Sequence, residues 1–347
     1  MGISRNLYRG AKEVDHSRIV RGENVQWHKN FKTKQAEKEY LENTDEERKL
    51  VENEFLTPQT ENFVETQQVK DLEHRILLWI KLGYPIHLVG PTGCGKTTLA
   101  MNVAKSLGRP VVWINGDESV TTADLIGGYS QIEQQTVRDR FIHNVYKDLD
   151  IMKADWQDNP LTLACKFGYT LVYNEFSRSR AAANNVLLSV FEEKILELPT
   201  MFGGERYVKV HPNFNAIMTS NSVEYAGIHR PQDALLDRMI GIHMDFYDKD
   251  TEVEIIKAHA KISESEAEKI VNIVRGLRGK VSVGERPGTR AAVMVAQGLE
   301  SLIANGGCSK TDFEQLVMDS IANKTISFED QLKKAGLIKN ILLEKTN

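Results

Sequence analysis

The sequence predicts an α/β protein: a doubly wound parallel sheet built around a phosphate-binding loop, followed by a small domain made only of helices. Three observations carry this expectation. The string Gly90-Pro91-Thr92-Gly93-Cys94-Gly95-Lys96-Thr97-Thr98 follows the apolar run Ile86-His87-Leu88-Val89 and precedes an apolar helical pattern. Four further short apolar runs, Val111 to Ile114, Tyr169 to Tyr173, Ala216 to Thr219 and Ile240 to Met244, are separated by helix-length segments. That alternation is expected of parallel strands joined by crossover helices. From Thr251 onward the apolar spacing is helical throughout.

Composition narrows the functional classes. The 347 residues, 41% hydrophobic and 27% charged, are enough for two domains of ordinary globular character. A formal net charge of −4 gives no basic footprint, so nucleic acid is not an expected partner. Cys94, Cys165 and Cys308 form no CxxC pair, which fits a reducing compartment and no zinc site. Met1 to Gly10 has no apolar core of a signal peptide, and no later run approaches the ~18 apolar residues of a spanning helix. A cytoplasmic protein without a membrane span is expected.

Taken in order, residues 1–57 are a charged extension, mainly basic from Arg5 to Lys34 and mainly acidic from Glu37 to Glu54. Without a continuous apolar face they are expected to be helical or disordered, serving as a docking arm or a solvated tail. The nucleotide-binding α/β domain is expected over 58–248. Its first helix, Asp71 to Leu82, carries Leu72, Ile76, Leu77, Trp79 and Ile80 at helical spacing, and Gly83-Tyr84-Pro85 ends it. The first strand then feeds the loop, whose glycines let consecutive N–H groups converge on an anion at the start of the next helix. Lys96 is expected to reach the β- and γ-phosphates and the Thr97 hydroxyl to ligate Mg²⁺.

Thr170-Leu171-Val172-Tyr173-Asn174-Glu175 reads as a strand with two polar residues at its carboxyl end, where α/β sheets place their sites. Glu175 is expected to deprotonate the water that attacks the γ-phosphate. Asn174 stands where the common form of this motif has Asp, so a neutral amide oxygen faces the metal and weaker Mg²⁺ binding with slower turnover is expected. Ala216 to Asn221 is the next strand with a polar exit, and Asn221 is a candidate to hold the attacking water or a γ-phosphate oxygen. Arg238, after Asp233-Ala234-Leu235-Leu236-Asp237, is a candidate finger for a neighbouring subunit's nucleotide, and Arg290 a candidate γ-phosphate contact from the helical part. Leu196 to Val210 reads as a hairpin from its alternation and its glycine turn. In the all-helical domain, 249–347, Ser263 and Glu266 form a capping box ahead of Ile270, Ile273 and Val274; Thr289 to Leu302 and Asp312 to Ile321 are further helices.

The ordered set Gly90–Thr98, Asn174-Glu175, Asn221, Arg238 and Arg290 resembles the AAA+ ATPases, and within them the MoxR-like group. The strings Glu61 to Thr66, Thr170 to Arg180, Ala183 to Val190, Glu224 to Gly227 and Gln232 to Met239 are similar to the gas vesicle protein N family, over about residues 60–300. The resemblance implies an AAA+ fold with a helical lid, ATP and Mg²⁺ as ligands, and a homo-oligomeric ring, usually a hexamer, with ATP at subunit interfaces. It implies a role in gas vesicle assembly, on shell or accessory proteins, in the cytoplasm and at the gas vesicles. Phe202 at the hairpin tip would touch a client in the ring pore or pack on a neighbouring subunit. Two alternatives stay open: a MoxR-like activase for another client, through metal insertion or enzyme remodelling, and an ATP-gated scaffold with little hydrolysis.

Overall fold

The computed structural model describes residues 62–141, 145–199, 206–222, 231–321 and 336–341, with the side chains of 130–155 and of residue 283 outside that description. The charged extension, the hairpin tip with Phe202 and the Glu224 to Gly227 string therefore lie outside the described residues. In chain order the elements are α1 (Gln67–Lys81), β1 (Ile86–Gly90), α2 (Lys96–Ser106), β2 (Val111–Asn115), α3 (Thr122–Ile126), β3 (Gly127–Phe141), β4 (Val145–Asp158), α4 (Pro160–Phe167) and β5 (Thr170–Asn174). Next come α5 (Ala181–Asn184), α6 (Val186–Phe191), β6 (Ile195–Glu197), β7 (Tyr207–Lys209), β8 (Asn215–Asn221), α7 (Asp233–Leu236) and β9 (Ile240–His243). The last four are α8 (Lys249–His259), α9 (Glu264–Arg278), α10 (Thr289–Ala304) and α11 (Lys310–Ile321).

Among the described residues the elements fall into two compact units, and the one comprising 57–119, 170–181 and 215–347 holds the parallel sheet and the terminal helices. The sheet order is β2-β5-β8-β1-β9, and every pairing is parallel. β5 is buried from Thr170 to Tyr173 and β8 from Ala216 to Ser220, so both read as near-continuous apolar runs. Leu99, Ala100 and Val103 of α2 pack with Ile86 and Leu88 of β1 and with Val172 and Ile217 beside them. This burial fixes the start of α2 directly beyond the end of β1. Helix α1 begins at Gln67, four residues before the expected Asp71, because Val69 is drawn into the same core.

In the terminal helices, Ile270, Ile273, Val274 and Leu277 of α9 pack against Val295 and Leu299 of α10 and Val317 of α11. The expected capping box is present: Ser263 N–H donates to Glu266 Oε2 at 2.8 Å and Glu266 N–H donates to Ser263 Oγ at 3.3 Å.

The second unit, 120–169 with 182–214 among the described residues, contains α3, the β3–β4 ladder, α4, α6 and the β6–β7 hairpin. β6 and β7 pair antiparallel with Leu196 opposite Val208, as the alternation of that segment predicts. The connection between β2 and β5 holds more than the expected helix: between α3 and α4 it carries an antiparallel ladder from Gly127 opposite Asp158 to Phe141 opposite Val145. Val137, Phe141, Val145, Leu149 and Ile151 share one parity, but Gln135, Asp139 and Lys147 interrupt it, so the segment has only a weak period-2 signal of a strand. Its pairing is carried by backbone hydrogen bonds, which leave no mark on composition.

Candidate active site

Every residue that the sequence singles out for nucleotide chemistry falls in the sheet-bearing unit. The loop starts where β1 ends, and Gly95, with φ of 90°, is the N-cap of α2. Left-handed backbone there is cheap for glycine and costly for a residue with a Cβ. The helix opens with its amino end toward the loop, the arrangement that favours an anion. Lys96 is buried, and its Nζ donates to the carbonyls of Gly90 at 3.0 Å and Pro91 at 2.7 Å and to Asn221 Oδ1 at 3.1 Å. Burial lowers the pKa of its ammonium below the ordinary lysine value; the Cys94 thiol and the Glu175 carboxylate act in the opposite direction, and Arg290 reinforces the lowering. Lys96 and Asn221 are thus brought into direct contact at the carboxyl ends of neighbouring strands.

Thr97 Oγ1 donates to Asn174 Oδ1 at 2.7 Å, and Thr219 Oγ1 donates to the same oxygen at 2.9 Å. Asn174 Nδ2 in turn donates to Asn115 Oδ1 at 3.1 Å, across the register in which these residues face each other on β2 and β5. The fit to a divalent cation rests on this donor chemistry: a hydroxyl and an amide oxygen are hard, neutral ligands of the kind Mg²⁺ takes together with phosphate oxygens. Among the described residues no cluster of three or more His, Cys, Asp or Glu side chains is suited to a metal.

Glu175 follows with φ of 52°, one of two non-glycine residues with positive φ among those described. Its N–H donates to Thr219 Oγ1 at 3.1 Å, and its carboxylate meets Arg178 Nε at 2.7 Å. A left-handed glutamate is a strained choice, and strain of this kind gathers at functional sites. Cys94 is fully buried, with its Sγ 4.0 Å from Lys96 Nζ. Pro91, Thr92 and Gly93 are half-buried and Thr98 is exposed beyond Thr97. Arg238 sits after α7, where its Nη1 donates to Ala234 O at 2.5 Å. Arg290, in the first turn of α10, lies beside the loop: a Cβ placed on Gly93 would be 3.9 Å from its Cβ.

A family profile described as AAA domain, dynein-related subfamily, matches residues 85–239. The gas vesicle ATPase GvpN of Haloferax mediterranei is 52% identical over 279 residues, 80% of this chain and 79% of that protein. The chain belongs to the gas vesicle ATPase family. GvpN1 of Halobacterium salinarum shows the same 52% identity, 80% of this chain and 79% of its own length being covered. Protein CbbQ of Hydrogenophilus thermoluteolus is a more distant relative, 27% identical over 63% of this chain and 77% of that protein.

Several site residues escape a reading of the sequence. Thr219 and Asn115 are recognisable only once strand register places them beside Asn174. Arg178 is one turn beyond Glu175, a spacing that could have flagged it. Buried Glu252 and Arg278, together with the more exposed Arg275, form an ion cluster among α8 and α9. Its trace in the sequence is Arg278 on the apolar face of α9, four and eight residues after Val274 and Ile270.

Proposed function

We propose that this ATPase works in gas vesicle assembly as a ring whose subunits share nucleotide sites, spending ATP to remodel or deliver a shell or accessory protein. The observation that carries the nucleotide chemistry is the convergence of Lys96 on Asn221 and of Thr97 on Asn174 at the ends of β1, β8 and β5. Family membership supports the gas vesicle context. Among the described residues no helix is long and apolar enough to cross a membrane.

On this reading the loop N–H groups and the α2 terminus bind the phosphates, and Lys96 exchanges the Gly90 and Pro91 carbonyls for phosphate oxygens. Thr97 and Asn174 would hold Mg²⁺, which supplies charge neutralisation of the β- and γ-phosphates. Glu175 takes the proton of the attacking water, and Asn221 holds that water or a γ-oxygen. Arg238 acts on the neighbouring subunit's nucleotide and Arg290 on its own.

Two substitutions test the assignment. Lys96→Ala removes most nucleotide affinity, because the phosphates lose their nearest cation. Glu175→Gln retains ATP and stops turnover. Hydrolysis by Glu175→Gln equal to the parent's would reject Glu175 as the base. A second reading, an ATP-gated scaffold, is favoured by one feature: the metal-facing position carries a neutral Asn174 that already receives two hydroxyl hydrogen bonds. Steady-state ATPase rates separate the two.

A further inference from the structure

Glu252, on the first turn of α8, is 1% exposed and receives four hydrogen bonds. Arg278 donates Nη2 to Oε1 at 2.6 Å and Nη1 to Oε2 at 3.0 Å; Arg275 Nη1 reaches Oε2 at 3.0 Å and Thr289 Oγ1 reaches Oε1 at 2.8 Å. What these donors touch besides Glu252 matters more than their number. Arg278 Nε donates to Pro287 O at 2.7 Å, and its guanidinium lies 3.9 Å from the centre of the Phe246 ring. Thr289, through its N–H, donates to Gly93 O at 3.0 Å. Arg275 also donates to Tyr247 O at 3.0 Å, and the Tyr247 ring lies 3.2 Å from where a Cβ on Gly95 would be. Both left-handed glycines of the phosphate loop thus rest on residues held by the partners of one carboxylate.

We infer that Glu252 is a positioning residue for nucleotide binding. It holds Pro287-Gly288-Thr289 against Gly93 and Tyr247 against Gly95, so that the loop keeps its anion-binding shape and Arg290 stays beside it. The inference rests on reading Gly90–Thr98 as the nucleotide loop. A carboxylate is required because two guanidinium groups converge on it; an amide of the same shape turns an N–H₂ toward a cation and leaves Arg278, 8% exposed, without its counter-charge.

The test measures binding of a fluorescent ATP analogue to the full chain, alongside thermal unfolding. Glu252→Gln is expected to weaken binding about tenfold or more. Thr289→Val, which keeps the shape but removes the hydroxyl donor, is expected to weaken it in the same direction, whereas Thr289→Ser retains parental binding. Val317→Ala, in the core of the same helices and away from the loop, serves as the structural control. If it loses as much affinity as Glu252→Gln for an equal fall in unfolding temperature, the cluster only stabilises the helices and the inference is overturned. Parental binding by both Glu252→Gln and Thr289→Val overturns it as well. If Glu252→Gln does not fold, the Thr289 pair decides alone: loss with valine and retention with serine supports the inference, and equal binding by the two removes it. Lys96→Ala tells the two failures apart: a parent protein that binds no analogue, or a Lys96→Ala variant that binds as the parent does, refutes the nucleotide-loop reading and the Glu252 inference with it, whereas a loss confined to Lys96→Ala overturns the Glu252 inference alone.

Discussion

Gly288→Ala probes the seam between α10 and the phosphate loop with a single methyl group. A Cβ at this position would lie 2.8 Å from Gly93 Cα, 2.8 Å from Thr92 O and 3.0 Å from Gly93 O. All three neighbours are backbone atoms, so no rotamer change relieves the overlap. Restoring ordinary contact requires the segments to part by about 0.6 Å, which stretches the Thr289 N–H to Gly93 O bond from 3.0 Å to about 3.6 Å, past a useful hydrogen bond. The lost bond costs about 1 kcal/mol. Displacing the two packed backbone segments adds about 1–3 kcal/mol. If nucleotide binds the closed seam, the sum of about 2–4 kcal/mol corresponds to about 30- to 700-fold weaker binding. Titration with a fluorescent ATP analogue measures it, and Gly284→Ala, whose Cβ would meet nothing within 4 Å, is the matched control. Affinity within about twofold of the parent, at an unchanged unfolding temperature, would show that the loop does not need the seam and refute the reasoning.

Asn174→Asp should lower the Mg²⁺ concentration for half-maximal turnover and raise the rate, with the Asn115 amide rotated so that its N–H₂ meets the new carboxylate; a fall in turnover across a Mg²⁺ titration would end the claim that Asn174 faces the metal. Arg238→Ala and Glu175→Gln, each inactive alone, should recover ATPase activity when mixed under subunit-exchanging conditions, and no recovery at any ratio removes the shared-site arrangement. His87 donates or accepts at Ser220 Oγ, 2.7 Å away, and burial, reinforced by His243, lowers its pKa from 6.5 to about 4. The unfolded chain therefore binds the extra proton first as pH falls below 6.5, so about 3 kcal/mol of stability is lost between that pH and about 4. Denaturant unfolding of His87→Gln should show a flatter pH dependence over that window, and an unchanged slope would assign the loss to other groups.

The parts of the site visible in the sequence are those whose backbone or position is chemically constrained. The loop announces itself because Gly93 and Gly95 adopt φ of 80° and 90°. Asn174, Glu175 and Asn221 announce themselves because polar residues follow apolar strands. Burial on both faces made the inner strands β1, β5 and β8 legible as near-continuous apolar runs, whereas the edge strands β2 and β9 expose alternate residues and show through short apolar stretches alone. Glu252 and its arginines stayed hidden because their pairing needs three separate segments, residues 252, 275–278 and 289, to meet. A lone Glu252 beside Val253 looks like an ordinary first-turn carboxylate that favours the helix terminus. The β3–β4 ladder stayed hidden for the opposite reason: its pairing is local, and polar residues such as Asp139 and Lys147 interrupt its apolar period.

The strand order also sets a timetable for synthesis. β1, which delivers the loop, has β8 and β9 as its neighbours in the sheet, and Lys96 lies 125 residues before Asn221. At the usual rate of translation β8 leaves the ribosome about 6–25 s after the loop does. Throughout that interval Ile86 to Val89 has neither of its sheet partners, and a nucleotide in the surrounding solution meets a loop without Asn221 to face Lys96 or Thr289 to brace Gly93. Chaperone supply during translation, more than nucleotide supply, should govern the yield of correctly folded subunits.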